Sequence, residues 1–163
     1  MIFVTVGTHT QQFNRLLRKI DELIEKGKIK EKVIAQIGYS TYKPKNYEYF
    51  SFTSEKKILE LNKKASLIIS HGGVGSIITA LQFKKPIVVV PRLKKFKEHV
   101  NDHQIQIAKA FEKRRKVLVC YDIDELEKII RKAKKFKPKV NKRNPPMFKI
   151  IKKFLDELLE SSD

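Results

Sequence analysis

Between Ser70 and Ser76 the chain reads Ser-His-Gly-Gly-Val-Gly-Ser, the densest run of residues suited to chemistry. Gly72, Gly73 and Gly75 allow a tight turn and let a ligand approach the backbone closely. Leu67, Ile68 and Ile69 precede the turn as a short apolar run, as in a buried parallel strand. Ile77, Ile78, Leu81 and Phe83 follow it at helical spacing, with Ser76 at the expected helix start. Free N–H groups and the positive dipole end of such a helix suit a phosphate. Two plainer readings stay open: glycines of a ligand-free turn, and Ser76 as a simple N-cap.

Other chemistry-bearing residues are sparse. Gly73-Val74-Gly75 would need a glycine at 78 for a dinucleotide fingerprint, and Ile78 stands there. A Walker A Gly-Lys-Ser/Thr is absent. His99 and His103 are four apart, but a zincin needs Glu where the chain has Val100. Zinc held by His71, His99 and His103 is a minor alternative to hydrogen-bonding or anion-contacting roles, and neither metal nor cofactor is expected. Cys120, the single cysteine, lies in the apolar run Val117–Tyr121 and reads as a buried core thiol; its solitude fits a reducing cytosol.

The elements that must position these residues alternate. Strands are expected at 2–6, 33–37, 47–52, 67–70, 87–90 and 117–121. Helices are expected along the stripe Phe13, Leu16, Leu17, Ile20, Leu23 and Ile24, after Thr53 or Ser54 with Ile58, Leu59 and Leu61 facing inward, from Ser76, after Asn101 or Asp102, and after Asp122. A last helix is expected from Pro145-Pro146, with the stripe Phe148, Ile151, Leu155, Leu158 and Leu159. This order predicts a single α/β Rossmann-like domain with a parallel sheet of about six strands and helices on both faces. Ligands of such sheets bind beyond the carboxyl ends of the strands. There the loops Gly7-Thr8, Gly38-Tyr39, His71–Ser76 and Pro91–Gln104 fall.

At 163 residues and 41% hydrophobic content the chain can bury a real core. No apolar run is long enough for a membrane span, and the opening residues lack the basic region of a signal peptide. A net charge of +18 points to anionic partners: a nucleotide, a nucleic acid or an anionic membrane face. The excess gathers between Lys128 and Lys153. The rival functional class is a non-catalytic basic module binding nucleic acid. Against it, the basic residues lack interleaved aromatic stacking positions.

His71-Gly72-Gly73-Val74-Gly75-Ser76, Lys85-Pro86, Pro91-Arg92 and Glu98-His99-Val100-Asn101-Asp102-His103-Gln104 together resemble a known family. They are similar to the C-terminal, donor-binding half of GT-B glycosyltransferases of the glycosyltransferase 28 family. The short stand-alone members resemble it more closely still, sharing the opening Phe3-Val4-Thr5-Val6-Gly7-Thr8. These are the soluble catalytic subunit of the two-component UDP-GlcNAc transferase and the small subunit of bacterial exopolysaccharide glycosyltransferases.

The resemblance, which covers about residues 1–130, implies a UDP-sugar donor. Gly72, Gly73, Gly75 and Ser76 would hold its diphosphate, with Gly7 and Thr8 nearby. Phe52 and Thr53 would contact the uracil and Gln104 the sugar hydroxyls; Arg92 and His99 would neutralise phosphate charge. For Arg92 a surface ion pair is an equal alternative. Longer members carry a ribose-binding Glu where this chain has Thr79, which opens the donor to UDP-glucose as well as UDP-GlcNAc.

The implied reaction is inverting sugar transfer to a lipid-linked acceptor. The general base ordinarily sits in the N-terminal GT-B half; His9 is a weak local candidate. The resemblance therefore implies a membrane-anchored, acceptor-binding partner and a cytoplasmic, peripheral location. The division expected is 1–136 as the UDP-sugar-binding domain, and 137–163 as a basic linker and an amphipathic helix that docks on the partner or packs on its own domain.

Overall fold

The computed structural model describes residues 1–140 together with Lys153, Asp156 and Glu157. Six parallel strands form one sheet: β1 (Ile2–Thr5), β2 (Val33–Gln36), β3 (Glu48–Phe50), β4 (Leu67–Ser70), β5 (Ile87–Val89) and β6 (Leu118–Val119). Their order is β3-β2-β1-β4-β5-β6, so the chain reverses direction across the sheet between β1 and β4. Ile2 to Thr5 pair on one side with Val33 to Gln36 and on the other with Leu67 to Ser70.

Alternation along the central strands splits the core in two. Ile2, Val4, Leu67, Ile69 and Val88 face one layer. That layer holds α1 (Asn14–Glu25) through Leu16, Leu17 and Ile20, and α5 (Leu126–Ala133) through Leu126 and Ile130. Phe3, Ile68, Ile87 and Val89 face the other. Leu61 of α2 (Glu55–Lys64), Ile77 of α3 (Val74–Gln82), and Ala108 and Phe111 of α4 (His103–Lys113) cover that side. Because both faces are buried, these strands read as continuous apolar runs.

Among the described residues the expected elements are present, with shorter edges. The outer strand β3 keeps three residues of the six expected, and β6 two of five. Ser54, not Thr53, caps α2: its hydroxyl accepts from Lys57 N–H at 3.3 Å. Leu59 departs from expectation; it lies 37% exposed, while Leu61 on the same helix is buried. Cys120 is buried and its Sγ reaches Asp122 O at 3.0 Å, and burial pushes its thiol up to about 12. Lys139 N–H donates to Arg115 O, tying the coil after α5 back to the domain. The stripe Phe148, Ile151, Leu155, Leu158 and Leu159 lies outside the described residues.

Candidate functional site

The glycine loop leaves β4 at the carboxyl edge of the sheet. Gly72 adopts φ +93, a conformation that favours glycine. Gly73 is the N-cap of α3 and offers no side chain to close the helix end. The N–H groups of Val74, Gly75 and Ser76 take no acceptor among the described residues; the first paired amide is Ile77, bonded to Gly73 O at 3.1 Å. Ser76 is therefore the third helical residue and not the cap expected from its type. Gly75 is exposed, and a Cβ added there would meet nothing within 4 Å.

Gly7 and Gly73 need their missing Cβ for a different reason. A Cβ on Gly7 would stand 2.6 Å from the His71 ring, and one on Gly73 only 2.4 Å from His71 Nε2. His71 thus fills the space between the loops after β1 and β4, with its Nδ1 3.3 Å from Thr5 O. That carbonyl can only accept, so Nδ1 carries the ring proton. Burial, reinforced by the Arg92 charge, pushes the imidazole down to about 3 and keeps it neutral. Of the hydrogen-bonding and anion-contacting roles expected of His71, the structure shows the first, to Thr5 O, in a buried neutral ring. Among the described residues no three His, Cys, Asp or Glu side chains gather as a metal site. The zinc alternative for His71, His99 and His103 fails for that reason.

Arg92 follows β5 and is fully buried. Its Nη2 donates to Val6 O at 2.6 Å, and Nη1 to Gln11 O, Gln12 O and Glu98 O at 2.9, 3.2 and 3.0 Å. The guanidinium also stacks 5.0 Å from the Phe13 ring. Desolvation lowers it to about 10, so it remains charged near neutral pH. The surface ion pair weighed for Arg92 is corrected: the side chain is buried, its terminal nitrogens reach carbonyls, and its buried Nε has no partner among the described residues. Buried Glu98 receives two bonds from Arg15, at 2.8 and 3.0 Å, and one from Leu93 N–H. Arg15 and Glu98 were not foreseen, since lysines flank Glu98 on one side and nothing local marks it as internal.

The remaining expected residues sit on the same edge. Gln104 is buried on α4; its Oε1 accepts from Arg92 N–H at 3.2 Å, and its Nε2 has no partner among the described residues. Thr79 turns its hydroxyl back to Gly75 O at 2.9 Å. Thr8 and Thr53 are exposed, and Phe52 is 45% exposed with its ring 5.0 Å from Tyr39, an aromatic neighbour not picked out as a site residue. His9 and His99 pack together at 4.6 Å between centroids. His103 is exposed at the start of α4 and its side chain joins none of these contacts.

His9 Nδ1 accepts from Gln11 N–H at 3.4 Å, so in the neutral ring the proton sits on Nε2. In that tautomer Nε2 is a donor, and the unprotonated nitrogen, Nδ1, is turned to the Gln11 amide. Burial, then His99 and Arg92, lower the His9 pKa and favour the neutral form. Elsewhere, a groove of about 570 Å3 runs beside α1, lined by Arg15, Arg18, Lys19, Glu22 and Asp124 among others. Its cations are largely matched internally, Lys19 by Glu22 and Asp124 and Arg15 by Glu98, so it is a poor anion site.

Comparisons with known proteins give a family from sequence and a fold from structure. The glycosyltransferase family 28 C-terminal domain matches residues 1–158. The UDP-N-acetylglucosamine transferase subunit ALG13 of Homo sapiens is 34% identical over 128 residues, covering 73% of this chain and 11% of that protein. The chain therefore spans a small part of that relative. In fold, the solution structure of ALG13 superposes with a TM-score of 0.59 at 22% identity, over 88% of this chain and 90% of the other. The glycotransferase of kitacinnamycin superposes with a TM-score of 0.63 at 18% identity, over 82% and 34%. A parallel sheet with a glycine loop at its switch point, matched over nearly its whole length, makes this chain a member of the glycosyltransferase family 28 C-terminal domain family.

Proposed function

We propose that the chain is the donor-binding subunit of a glycosyltransferase that takes its sugar from a UDP-sugar. The observation that carries this reading is Gly75. Its φ is not positive and no neighbour would touch a Cβ, so the fold does not require glycine there. Glycine in a helix costs roughly 0.5–1 kcal/mol relative to alanine. A ligand lying against the first turn of α3 explains why the position stays bare. The unpartnered N–H groups of Val74, Gly75 and Ser76 then face the diphosphate and stabilise the charge that develops on UDP as it leaves.

The rest of the reading is built around that contact. Phe52 and Thr53, with Tyr39 beside them, lie where the base would rest; Gln104 Nε2 is available for a sugar hydroxyl. The donor is UDP-GlcNAc, as the names of the ALG13 relatives suggest, or UDP-glucose, which Thr79 leaves open. The acceptor is lipid-linked, transfer inverts the anomeric carbon, and a membrane-anchored partner supplies acceptor binding and the base. Residues 1–136 would form the binding domain, and the basic run and apolar stripe within 137–163 would serve docking on the partner or packing on the domain itself. The subunit works at the cytoplasmic membrane face. No helix among the described residues is long and apolar enough to cross a membrane.

Calorimetric titration with UDP tests the reading. Wild-type chain should bind UDP at millimolar concentration or below. Gly75→Asp should abolish the heat while leaving the thermal unfolding profile nearly unchanged, since its Cβ has room. Absence of UDP binding to the wild-type chain, with and without its partner, overturns the proposal. Binding that survives Gly75→Asp and falls steeply with salt would instead favour a nucleic-acid module.

A further inference from the structure

The loop between β5 and α4 carries an exposed but firmly held tip. Lys94–Phe96 form one short 3-10 turn, closed by Phe96 N–H to Leu93 O at 3.2 Å and Lys97 N–H to Lys94 O at 2.9 Å. Lys97 sits at φ 56, a left-handed conformation that L side chains rarely adopt. Neighbouring side chains fasten the backbone of the turn. Gln12 Nε2 donates to Phe96 O at 3.1 Å; the Glu98 carboxylate accepts from Leu93 N–H at 2.9 Å, and that of Asp102 from Lys94 N–H at 3.0 Å. The side chains of the turn stay outside: Phe96 is 44% exposed, and Lys94, Lys95 and Lys97 are exposed.

Charge is sorted in the same way. Glu98, next in the chain to these lysines, is fully buried and bonded to Arg15. Asp102 is exposed and turns one oxygen to the Lys94 amide. None of the three ammonium groups joins an ion pair among the described residues. A lone exposed apolar side chain is ordinary. Here the ring is held among unpaired lysines, on a rigid turn whose adjacent acid points inward.

Three kinds of occupant suit a basic aromatic tip, and the details separate them. A nucleic acid stacks its bases on aromatic faces, yet the Phe96 ring already carries the Arg15 guanidinium at 4.8 Å and the Lys95 ammonium at 4.9 Å. A protein partner would have to desolvate lysines, which are depleted in interfaces. An anionic bilayer requires neither: ammonium groups stay among the headgroups while the ring enters the boundary below them. We propose that Lys94-Lys95-Phe96-Lys97 is a membrane-docking tip, with Phe96 inserted at the headgroup boundary of an anionic bilayer and the three lysines on its acidic headgroups. The tip follows β5, the neighbour of β4 and its glycine loop, so docking would bring the carboxyl edge of the sheet to the lipid. The choice of a bilayer rests on the lipid-linked acceptor of the reading above; the contact involves no nucleotide and is tested without one, so either can fail alone.

The full chain should sediment with phosphatidylcholine vesicles containing phosphatidylglycerol, and not with phosphatidylcholine alone. A lysine near such a surface contributes about fivefold to partition. The triple variant Lys94→Gln, Lys95→Gln and Lys97→Gln should therefore bind about a hundredfold more weakly. Phe96→Gln should lose about tenfold. Both variants keep the basic run between Lys128 and Lys153, so undiminished binding in both would assign the vesicles to that run and overturn the proposal. The chain has no tryptophan, so Phe96→Trp reports from one site. Its emission should shift to the blue on anionic vesicles and be quenched by brominated acyl chains. Unshifted, unquenched emission from vesicle-bound protein overturns insertion, and this readout decides if thermal unfolding shows Phe96→Gln to be destabilised. A triple variant that loses a single-stranded oligonucleotide but not the vesicles overturns the proposal in favour of nucleic acid. Wild-type chain that ignores both kinds of vesicle overturns it as well and leaves the tip to a protein partner.

Discussion

At the amino end of α3 three backbone N–H groups have no acceptor among the described residues, while one strand away the terminal nitrogens of Arg92 reach four carbonyls. The formal charge is on Arg92; the unpaired donors are at the helix end. Arg92 is fully buried, and its donors satisfy Val6 O, Gln11 O, Gln12 O and Glu98 O. The α3 amides point outward because their cap, Gly73, has no side chain. An arginine next to the glycine loop is thus a scaffold here, and the charge left unpaired at the loop is a partial one of backbone origin.

The largest effect should come from Arg92→Met. It strands several buried carbonyls, each worth about 1–3 kcal/mol when unpaired, so a loss of about 3–5 kcal/mol is expected in urea denaturation. A variant as stable as wild type would show that these carbonyls find water instead. Next come the glycines. Gly73→Ala forces a Cβ to 2.4 Å from His71 Nε2 and should destabilise by about 1–3 kcal/mol. Gly75→Ala, with open space around it, should be neutral or up to about 0.5 kcal/mol stabilising, yet weaken UDP. Equal stabilities for the two would erase the distinction between fold-required and ligand-required glycine.

His71 sharpens the same comparison through pH. Its folded pKa is depressed to about 3, so the unfolded chain binds the proton first. The resulting stabilisation is fully present above pH 6.5 and is lost as pH falls toward 3. Between pH 6 and 5 wild type should lose about 1 kcal/mol more than His71→Gln, because one fully displaced proton is worth about 1.4 kcal/mol per pH unit. Identical slopes would mean that the ring is hydrated and not a dry wedge. The smallest effect is expected for Thr79→Ala, whose hydroxyl serves its own helix: a stability change within about 0.5 kcal/mol, read by thermal unfolding.

The sheet was legible because both its faces are buried: Leu67-Ile68-Ile69 and Ile87-Val88-Val89 leave no polar position in either run. The ends of β3 and β6 were not, since edge strands pair on one side only and apolar runs such as Val117–Tyr121 continue past the last ladder bond. Of the site, the glycine loop and its helix were readable from spacing. Tyr39 beside Phe52 and the Glu98 anchor were not, because their partners lie 13 and 83 residues away in the chain.

Sequence by itself determined the alternation of strands and helices, the glycine turn between β4 and α3, and the excess of positive charge, because each depends on residue type and local spacing. Only the tertiary structure decided which positive groups a ligand can reach. Burial consumed Arg92 and neutralised His71, whereas folding brought His9 and His99, 90 residues apart in the chain, into ring contact. Reach is a property of what surrounds a group, and those surroundings come from segments distant in sequence.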